Sequence, residues 1–335
     1  MSDTEPCLLS ELSESTCSRV KMADAAVVIP FRGDSSVLNC VLQALNRQTI
    51  RRNLEIILSI DGLEGPEEEI ASLADKVVKG PAGGPAMTRN RGWRSSKAEF
   101  ILFTDADCVP DARWAERMLA PLRGEYEASK GVYSEGGTKL IQRLAQIEFQ
   151  ERYRIMARRD TVLLADTYSA GFRRSCLERL DGFDETFPLP DHEDVDLSWR
   201  LTGSGGRIAF VPDARVRHTH RSTWKSYFRM KMSRGKWRII LVKNFPSMII
   251  SDGYTPQMLK FQMLLAPVIL ASVFLLFLSP LLMAVLMVLF LASCISLISV
   301  SIAFDPVTAA AVPVFCFWRA LALDAGALLG LTGGR

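Results

Sequence analysis

The stretch Phe100-Ile101-Leu102-Phe103-Thr104-Asp105-Ala106-Asp107 decides the fold. Five strand-prone residues that stop abruptly at two carboxylates predict a buried parallel strand delivering acids to its C-terminal edge. In open α/β sheets that edge is where ligands bind. Carboxylates separated by one residue project to the same side of an extended backbone. Like charges that close are unfavourable without a cation between them, and hard oxygen ligands suit Mg²⁺ or Mn²⁺.

On the N-terminal side, Ala25 to Pro30 reads as a first buried strand. Asp34 or Ser35 is placed to cap a helix whose apolar positions Leu38, Val41, Leu42 and Leu45 have helical spacing. Leu54 to Ile60 is a second strand ending at Asp61-Gly62, Glu64 to Ala74 a short acidic helix, and Val77-Val78 a short third strand. The loop Gly80 to Pro85 leads into a helix from about Ala86 to Ser95. Strands alternating with helices predict an α/β protein with a doubly wound, mainly parallel sheet. On the C-terminal side, Leu140 to Arg159 reads as a helix, Thr167 to Phe172 as a strand and Ser175 to Leu180 as a helix before a Gly182-Phe183-Asp184 turn. Asp191 to Leu201 is an acid-led helix, and Arg207 to Val211 is another strand ending at a Pro212-Asp213 turn. Gly131 to Lys139 reads as a loop without a guiding motif.

Four groups carry candidate chemistry. Asp61 closes its strand as Asp105 closes a later one, and in a doubly wound sheet the two ends lie side by side over the ligand crevice. Arg89 and Asn90 follow a Gly/Pro loop, where loop amides and arginines meet phosphate charge. In His192-Glu193-Asp194-Val195-Asp196, the helix dipole favours acids in a first turn, and Asp196 pairs with Arg200 at i,i+4. A carboxylate there that is aimed into a pocket acts as a general base. His218 follows the last strand and is placed to complete a metal shell.

The chain has 335 residues and a net charge of +3, too near neutral to argue for nucleic acid. Its mean hydropathy is +0.13, and the excess is concentrated. Lys260 and Asp305 bracket 44 residues without a charged side chain. As helix that run is about 66 Å long, roughly twice the ~30 Å hydrocarbon core, and Ser279-Pro280 makes a turn near its middle, which predicts two membrane passes. Val307 to Leu331 is also apolar but carries Arg319 and Asp324; it either spans with those groups facing protein or lies in the interface. The basic, aromatic-rich stretch from Thr223 to Lys243 suggests an amphipathic helix on anionic headgroups, and its charge places the preceding domain in the cytoplasm. Seven scattered cysteines, with no CxxC pair, give neither a disulfide framework nor a zinc site. The first 24 residues read as a disordered tail, with Met22 an alternative start.

The order VVIPFRGD, EIILSIDG, GPAMTRNRGW, FILFTDAD, SAGFRR, LDGFDE, EDVDLSWRL, FVPDARVRH resembles family 2 inverting glycosyltransferases of the GT-A fold, of the membrane-anchored bacterial type. The resemblance covers about Ala25 to His220. It implies that Asp61 and the Pro30-Phe31 loop hold the base of a nucleotide-sugar donor, with Arg89, Asn90 and Asp105 also on the donor. Asp107 would contact the divalent metal, with His218 as a further ligand, and Asp194 would be the catalytic base. It further implies transfer to a saccharide or lipid-linked saccharide acceptor in cell-surface or exopolysaccharide synthesis. The alternatives are transfer onto polyprenyl phosphate, or a catalytically silent nucleotide-binding scaffold. Two departures stand out. Ile60-Asp61 offers one carboxylate where the family pairs two, and Arg234-Gly235-Lys236-Trp237 replaces the QxxRW of processive synthases, which counts against polymerisation. The expected organisation is a tail (1–24), a catalytic domain (25–222), a basic interfacial segment (223–258), two transmembrane helices (259–304) and a third apolar segment (305–335), all in a multi-pass plasma-membrane protein that contacts membrane lipids.

Overall fold

The computed structural model describes residues 23–187, 192–249, 252–272 and 279–332. The expected tail lies outside these residues except for Ala23 and Asp24, and the end of the first expected membrane pass lies outside them too. The strands are β1 (Ala25–Phe31), β2 (Leu54–Asp61), β3 (Lys76–Gly80), β4 (Phe100–Phe103), β5 (Val109–Pro110), β6 (Ala128–Glu135), β7 (Ala170–Arg173) and β8 (Ile208–Arg217). They form one sheet in the order β3-β2-β1-β4-β7-β6-β8-β5. The first four are parallel, with Ala25 of β1 in register with Leu54 and with Phe100. Beyond β4 the sheet turns mixed: β7 runs antiparallel to both β4 and β6, β6 pairs parallel with β8, and β5 is antiparallel to β8. The α/β expectation holds, with more antiparallel pairing than the strand–helix alternation suggested.

Helices cover both faces of the sheet: α1 (Leu38–Asn46), α2 (Glu68–Ala71), α3 (Gly84–Arg94), α4 (Trp114–Leu122), α5 (Leu140–Met156), α6 (Arg174–Arg179) and α7 (Glu193–Gly203). Ala25, Val27 and Ile29 of β1 pack with Leu38, Val41, Leu42 and Leu45 of α1, while Ala26 and Val28 face the side that holds Ala86 and Trp93 of α3. A strand buried on both faces is why these segments read as unbroken apolar runs. Each fully buried aliphatic side chain contributes about 1.5–3 kcal/mol.

Several local expectations are corrected. Asp34 accepts from the Ser36 amide and does not cap α1, whose N-cap is Val37. The acidic helix shrinks to α2. Gly131 to Glu135 belongs to β6, whose polar residues Ser129 and Lys130 are fully buried, so the composition hid a strand. Pro212-Asp213 lies inside β8, where the pairing with β6 shifts register.

After the sheet come α8 (Trp224–Asn244), α9 (Gln257–Ser272), α10 (Pro280–Ser293), α11 (Ile295–Phe304) and α12 (Val312–Thr332), the last preceded by a 3₁₀ turn (Pro306–Ala311). Among the described residues, one unbroken helical stretch is long and apolar enough to cross a membrane, Pro306–Thr332. A second qualifies only if α10 and α11, bent by 43°, count as one span; α9 alone is shorter. The continuation of the first expected pass beyond α9, residues 273–278, lies outside the described residues. The third segment, left open between spanning and interfacial, is the strongest candidate. Arg319 of α12 is 1% exposed and donates to Gln262 of α9 at 3.0 Å, so its charge is turned inward to protein.

The basic α8 does not stand apart from the sheet domain. Tyr227 and Lys231 bind Glu148 of α5 at 2.8 and 2.7 Å, and α8 runs along α12. A Cβ at Gly326 would collide with the Met232 carbonyl, so this crossing requires glycine.

Candidate active site

The site lies at the C-terminal edge of the parallel strands. Asp61 ends β2 with its side chain 6% exposed, accepting from the amides of Gly83 and Gly84 at 2.8 and 3.2 Å and pairing with Arg32 at 3.3 Å. Burial pulls its carboxyl upward, but the two amides, Thr88 and Arg32 outweigh that and hold it below the usual range. The Gly83-Gly84 entry to α3 is therefore fixed against Asp61. Pro30, near the end of β1, is half-buried. Phe31, expected on the donor base, is 3% exposed and packed in the core on the α1 side, so its ring is not offered to a ligand.

The two DxD carboxylates do not project together. The chain leaves β4 at Phe103, and the Cys108 amide donates to the Asp105 carbonyl at 3.0 Å, closing a turn. Strand alternation therefore does not apply, and each acid has its own partner. Asp105 accepts from Arg89 Nη2 at 2.9 Å. Asp107 Oδ1 lies 3.5 Å from His218 Nδ1. Burial opposes ionisation of Asp107, yet His218 keeps its carboxyl below the usual range.

Asp107, Cys108 and His218 form a cluster whose ligand atoms lie within 4.8 Å of one another. His218 Nδ1 is buried and without a hydrogen-bond partner, while its ring stacks on Tyr133 at 5.1 Å. A ring held in place with an orphaned nitrogen facing a carboxylate fits a divalent cation, and the carboxylate–imidazole pair suits Mn²⁺. Burial, followed by Asp105 and Asp107, pushes the Cys108 thiol well up, which leaves Asp107 and His218 as the natural ligands. His220 plays no such part: its Nε2 bonds Gln146 at 2.9 Å, and burial pushes it down to about 3.

Arg89 is 3% exposed and bridges two motifs, with Nη2 on Asp105 and Nη1 on Glu193 at 2.6 Å. It ties the β4 turn to the first turn of α7. Asn90 points elsewhere. Its amide donates to Phe183 O and Glu185, and its oxygen accepts from Phe183 N and Trp93, so it braces the Gly182 turn and leaves no free polar atom for a donor.

Asp194 follows Glu193 in the first turn of α7, after His192 at φ 72°, a left-handed conformation uncommon outside glycine. Burial, then the carboxylates of Glu193 and Asp166, push Asp194 well up from the ordinary aspartate range. Asp194 Oδ2 takes only a long contact from the Thr167 amide, 3.4 Å. By contrast, Asp196 is 5% exposed and held by Arg200 at 2.8 Å. Behind Asp194, buried Lys130 of β6 is ion-paired to Asp166 and bonded to the Tyr168 hydroxyl at 3.0 Å. Sequence reading missed Lys130, which lies just before the segment taken for a loop, in a strand that reading did not assign.

Asp105, Arg89, Glu193 and Asp194 line one wall of a cavity of about 540 Å³. The opposite wall comes from α8, α9, α12 and residues 252–255, including Lys231, Arg234 and Arg238, with Arg152 of α5 beside them. The basic stretch was legible in the sequence, but its direction was not.

The sequence profile of the family described as "Glycosyltransferase like family 2" matches residues 23–235. The pre-mycofactocin glycosyltransferase of Mycobacterium tuberculosis is 28% identical over 246 residues, covering 69% of this chain and 51% of the relative. N-acetylgalactosaminyltransferase 7 of Drosophila melanogaster is 23% identical over 258 residues, covering 65% and 43%. The chain thus spans about half the length of the curated relatives it matches. Among solved structures, the mannosyltransferase PcManGT from Pyrobaculum calidifontis, in complex with GDP-Man and Mn²⁺, superposes with a TM-score of 0.58 at 16% identity. The match covers 92% of this chain and 87% of that one, a likeness of fold that extends beyond the sheet domain.

Proposed function

The chain belongs to the glycosyltransferase family 2-like proteins, and from that premise we propose that it is a membrane-anchored, metal-dependent inverting glycosyltransferase. It would move a sugar from a nucleoside diphosphate onto an acceptor hydroxyl. The observation that carries the reading is the convergence of Asp61, Asp105 and the Asp107–His218 pair on one sheet edge, with the half-buried Asp194 carboxyl, raised by its burial, in the first turn of α7.

Asp61 and the half-buried Pro30 fit the base side of the donor, and Asp105, oriented by Arg89, fits the ribose side. Asp107 and His218 would hold Mg²⁺ or Mn²⁺, which when bound neutralises the leaving diphosphate. Asp194 accepts the acceptor's hydroxyl proton as that oxygen forms its bond to the anomeric carbon. The anomeric C–O bond breaks in the same displacement, its electron pair leaving with the nucleoside diphosphate. One displacement inverts the anomeric centre. The raised affinity of Asp194 for a proton suits a general base.

The apolar outer faces of α9 to α12 support a membrane anchor, with α12 and the bent α10–α11 pair as its spanning candidates. The adjoining helices favour a lipid-linked saccharide acceptor and a cytoplasmic catalytic domain at the plasma membrane. The retained Asp107 and Asp194 speak against a silent scaffold. The test is release of sugar from a panel of UDP- and GDP-sugars by the purified protein. Mn²⁺-dependent hydrolysis or transfer is expected, and its absence across the panel would sink the reading.

A further inference from the structure

Lys130 of β6 is fully buried, and no step of the transfer uses it. Its ammonium is ion-paired to Asp166 and donates to the Tyr168 hydroxyl at 3.0 Å, and that hydroxyl shares a 2.8 Å hydrogen bond with Tyr153. Asp166 and Tyr168 flank Thr167, whose amide makes the long contact to Asp194. One lysine therefore grips the chain on both sides of the peptide group that reaches across to the Asp194 carboxyl. The same stretch is tied to α7 a second time. Ser198 Oγ accepts from the Ala165 amide at 3.0 Å and donates to the Asp194 carbonyl at 2.6 Å. Residues 165–168 thus offer main-chain groups to α7, while the side chains of Asp166 and Tyr168 bind Lys130.

A buried ion pair is seldom a net source of stability, since well-packed apolar residues of similar volume do as well. Beside a reacting carboxyl, such charges set its proton affinity instead. Facing Asp194 are Glu193 from its own helix, Arg89 from α3, Asp166 from the stretch before β7 and Lys130 from β6. Glu193 is bound to Arg89 and Asp166 to Lys130, so two ion pairs adjoin the carboxyl. Both acids act on it more strongly than Arg89 does. Asp105 and His192 share this wall, and Arg152, Lys231, Arg234, Arg238, Asp252, Lys260 and Asp324 also line the cavity. Burial keeps the lining tyrosines Tyr133, Tyr168 and Tyr254 neutral.

We propose that Lys130 is a positioning residue for the base: by gripping Asp166 and Tyr168, it holds the Thr167 amide and the Asp166 carboxylate in place against Asp194. The Asp166 charge makes Asp194 a better proton acceptor, and the Lys130 charge limits that effect. This rests on the role of Asp194 in the glycosyl-transfer reading, to which it adds the groups that aim and tune it.

The test uses the full chain in detergent with Mn²⁺ and the UDP- and GDP-sugars, with pH–rate profiles for wild type, Asp166→Asn, Lys130→Met and the double variant. Asp166→Asn removes a negative charge at nearly constant volume, so the acid limb should move down by about one pH unit. Lys130→Met removes a positive charge and should move the limb up. Its plateau kcat should fall roughly 10- to 100-fold through misplacement of the base, with KM for the nucleotide sugar unchanged. The double variant's limb should fall between the two. Loosened packing lowers the rate alike at every pH, so it does not produce displacements of opposite sign. Limbs that stay put, or that move the same way, overturn the proposal. So does an Asp166→Asn variant inactive at every pH, which would make Asp166 itself the proton acceptor. Should Lys130→Met not fold, Asp166→Asn alone decides. A readout free of turnover accompanies these profiles: ¹³C NMR titration of the aspartate carboxyls, with the Asp194 signal identified by its loss in Asp194→Asn. Its midpoint should move down in Asp166→Asn. A wild type without Mn²⁺-dependent turnover removes the transfer reading and leaves the pairing to this titration. Turnover with an unmoved Asp194 midpoint overturns the pairing alone.

Discussion

In the sheet domain every residue of β1 except Pro30 is buried, and the large apolar side chains exposed among described residues 23–256 are Val37, Leu63, Val77 and Leu140. In the helices after Gln257 the exterior is apolar as well. Leu264, Leu281 and Val307 are 70%, 75% and 73% exposed, while Gln262, Ser301, Thr308 and Arg319 are buried between helices. Both regions are rich in leucine and valine; the second is set apart by its uncharged run between Lys260 and Asp305 and by the solvent its outer face is suited to. An apolar exterior around an interior that mixes polar groups with apolar ones such as Phe290, Leu297 and Phe315 is the pattern expected in lipid, where charged groups turn toward protein partners. The sheet domain shows the aqueous pattern, with apolar groups inside. The candidate site lies on the seam, its second wall shared between α8 with residues 252–255 and the helices α9 and α12.

The sharpest way to break this division of labour is to remove the proposed base from the sheet-domain wall. Asp194→Asn should cut transfer roughly 10²- to 10⁴-fold while Mn²⁺-dependent donor binding persists. The neighbouring Asp196→Asn should cost far less turnover, because its carboxyl is engaged by Arg200. Binding and turnover measured side by side on the two variants decide the register, and an indispensable Asp196 with a dispensable Asp194 would reverse it. The wild-type rate should also fall as pH is lowered, since the carboxyl of Asp194 binds its proton more readily than an ordinary aspartate. A flat pH–rate profile would place the base elsewhere.

Glu148 is the joint between the regions, and its loss tests whether they form one folding unit. Glu148→Gln strands Lys231, Arg152 and Arg319 around a neutral group and should cost about 3–5 kcal/mol, read as a lowered unfolding midpoint in detergent. Although burial opposes its charge, Lys231, Arg152 and Arg319 hold the Glu148 carboxyl well below its usual range. The stabilisation is thus fully present above the ordinary glutamate range and is lost as pH falls through the lower folded value. Asp107→Asn keeps nearly the same volume, so the fold should survive while Mn²⁺-dependent donor affinity falls roughly 10- to 100-fold, a scale borrowed from perturbed metal sites. Unchanged affinity, measured with and without Mn²⁺, would make Asp107 a turn residue.

The smallest expected effect is at the helix crossing. Gly326→Ala forces a methyl against the Met232 carbonyl and should destabilise by about 1–3 kcal/mol. Thermal scans of this variant would show whether α8 and α12 must touch as closely as they do here. Gly203→Ala, where a Cβ meets open space, is the matched control.

The residues themselves determined the parallel strands, because continuous apolar runs such as Val27-Val28-Ile29 and Phe100 to Phe103 have no stable place except a sheet covered on both faces. They also determined which acids end those strands, and with the order of motifs they determined the family. Tertiary structure alone decided the partners: Arg89 bridging Asp105 and Glu193, the orphaned His218 nitrogen, the fully bonded Asn90, and the inward turn of Lys231 and Arg319. The physical reason is range. Strand and helix propensity are set by neighbours a few positions away, whereas a buried charge is fixed by whichever opposite charge the fold brings to it, here across separations of 104 residues for Arg89–Glu193 and 83 for Glu148–Lys231.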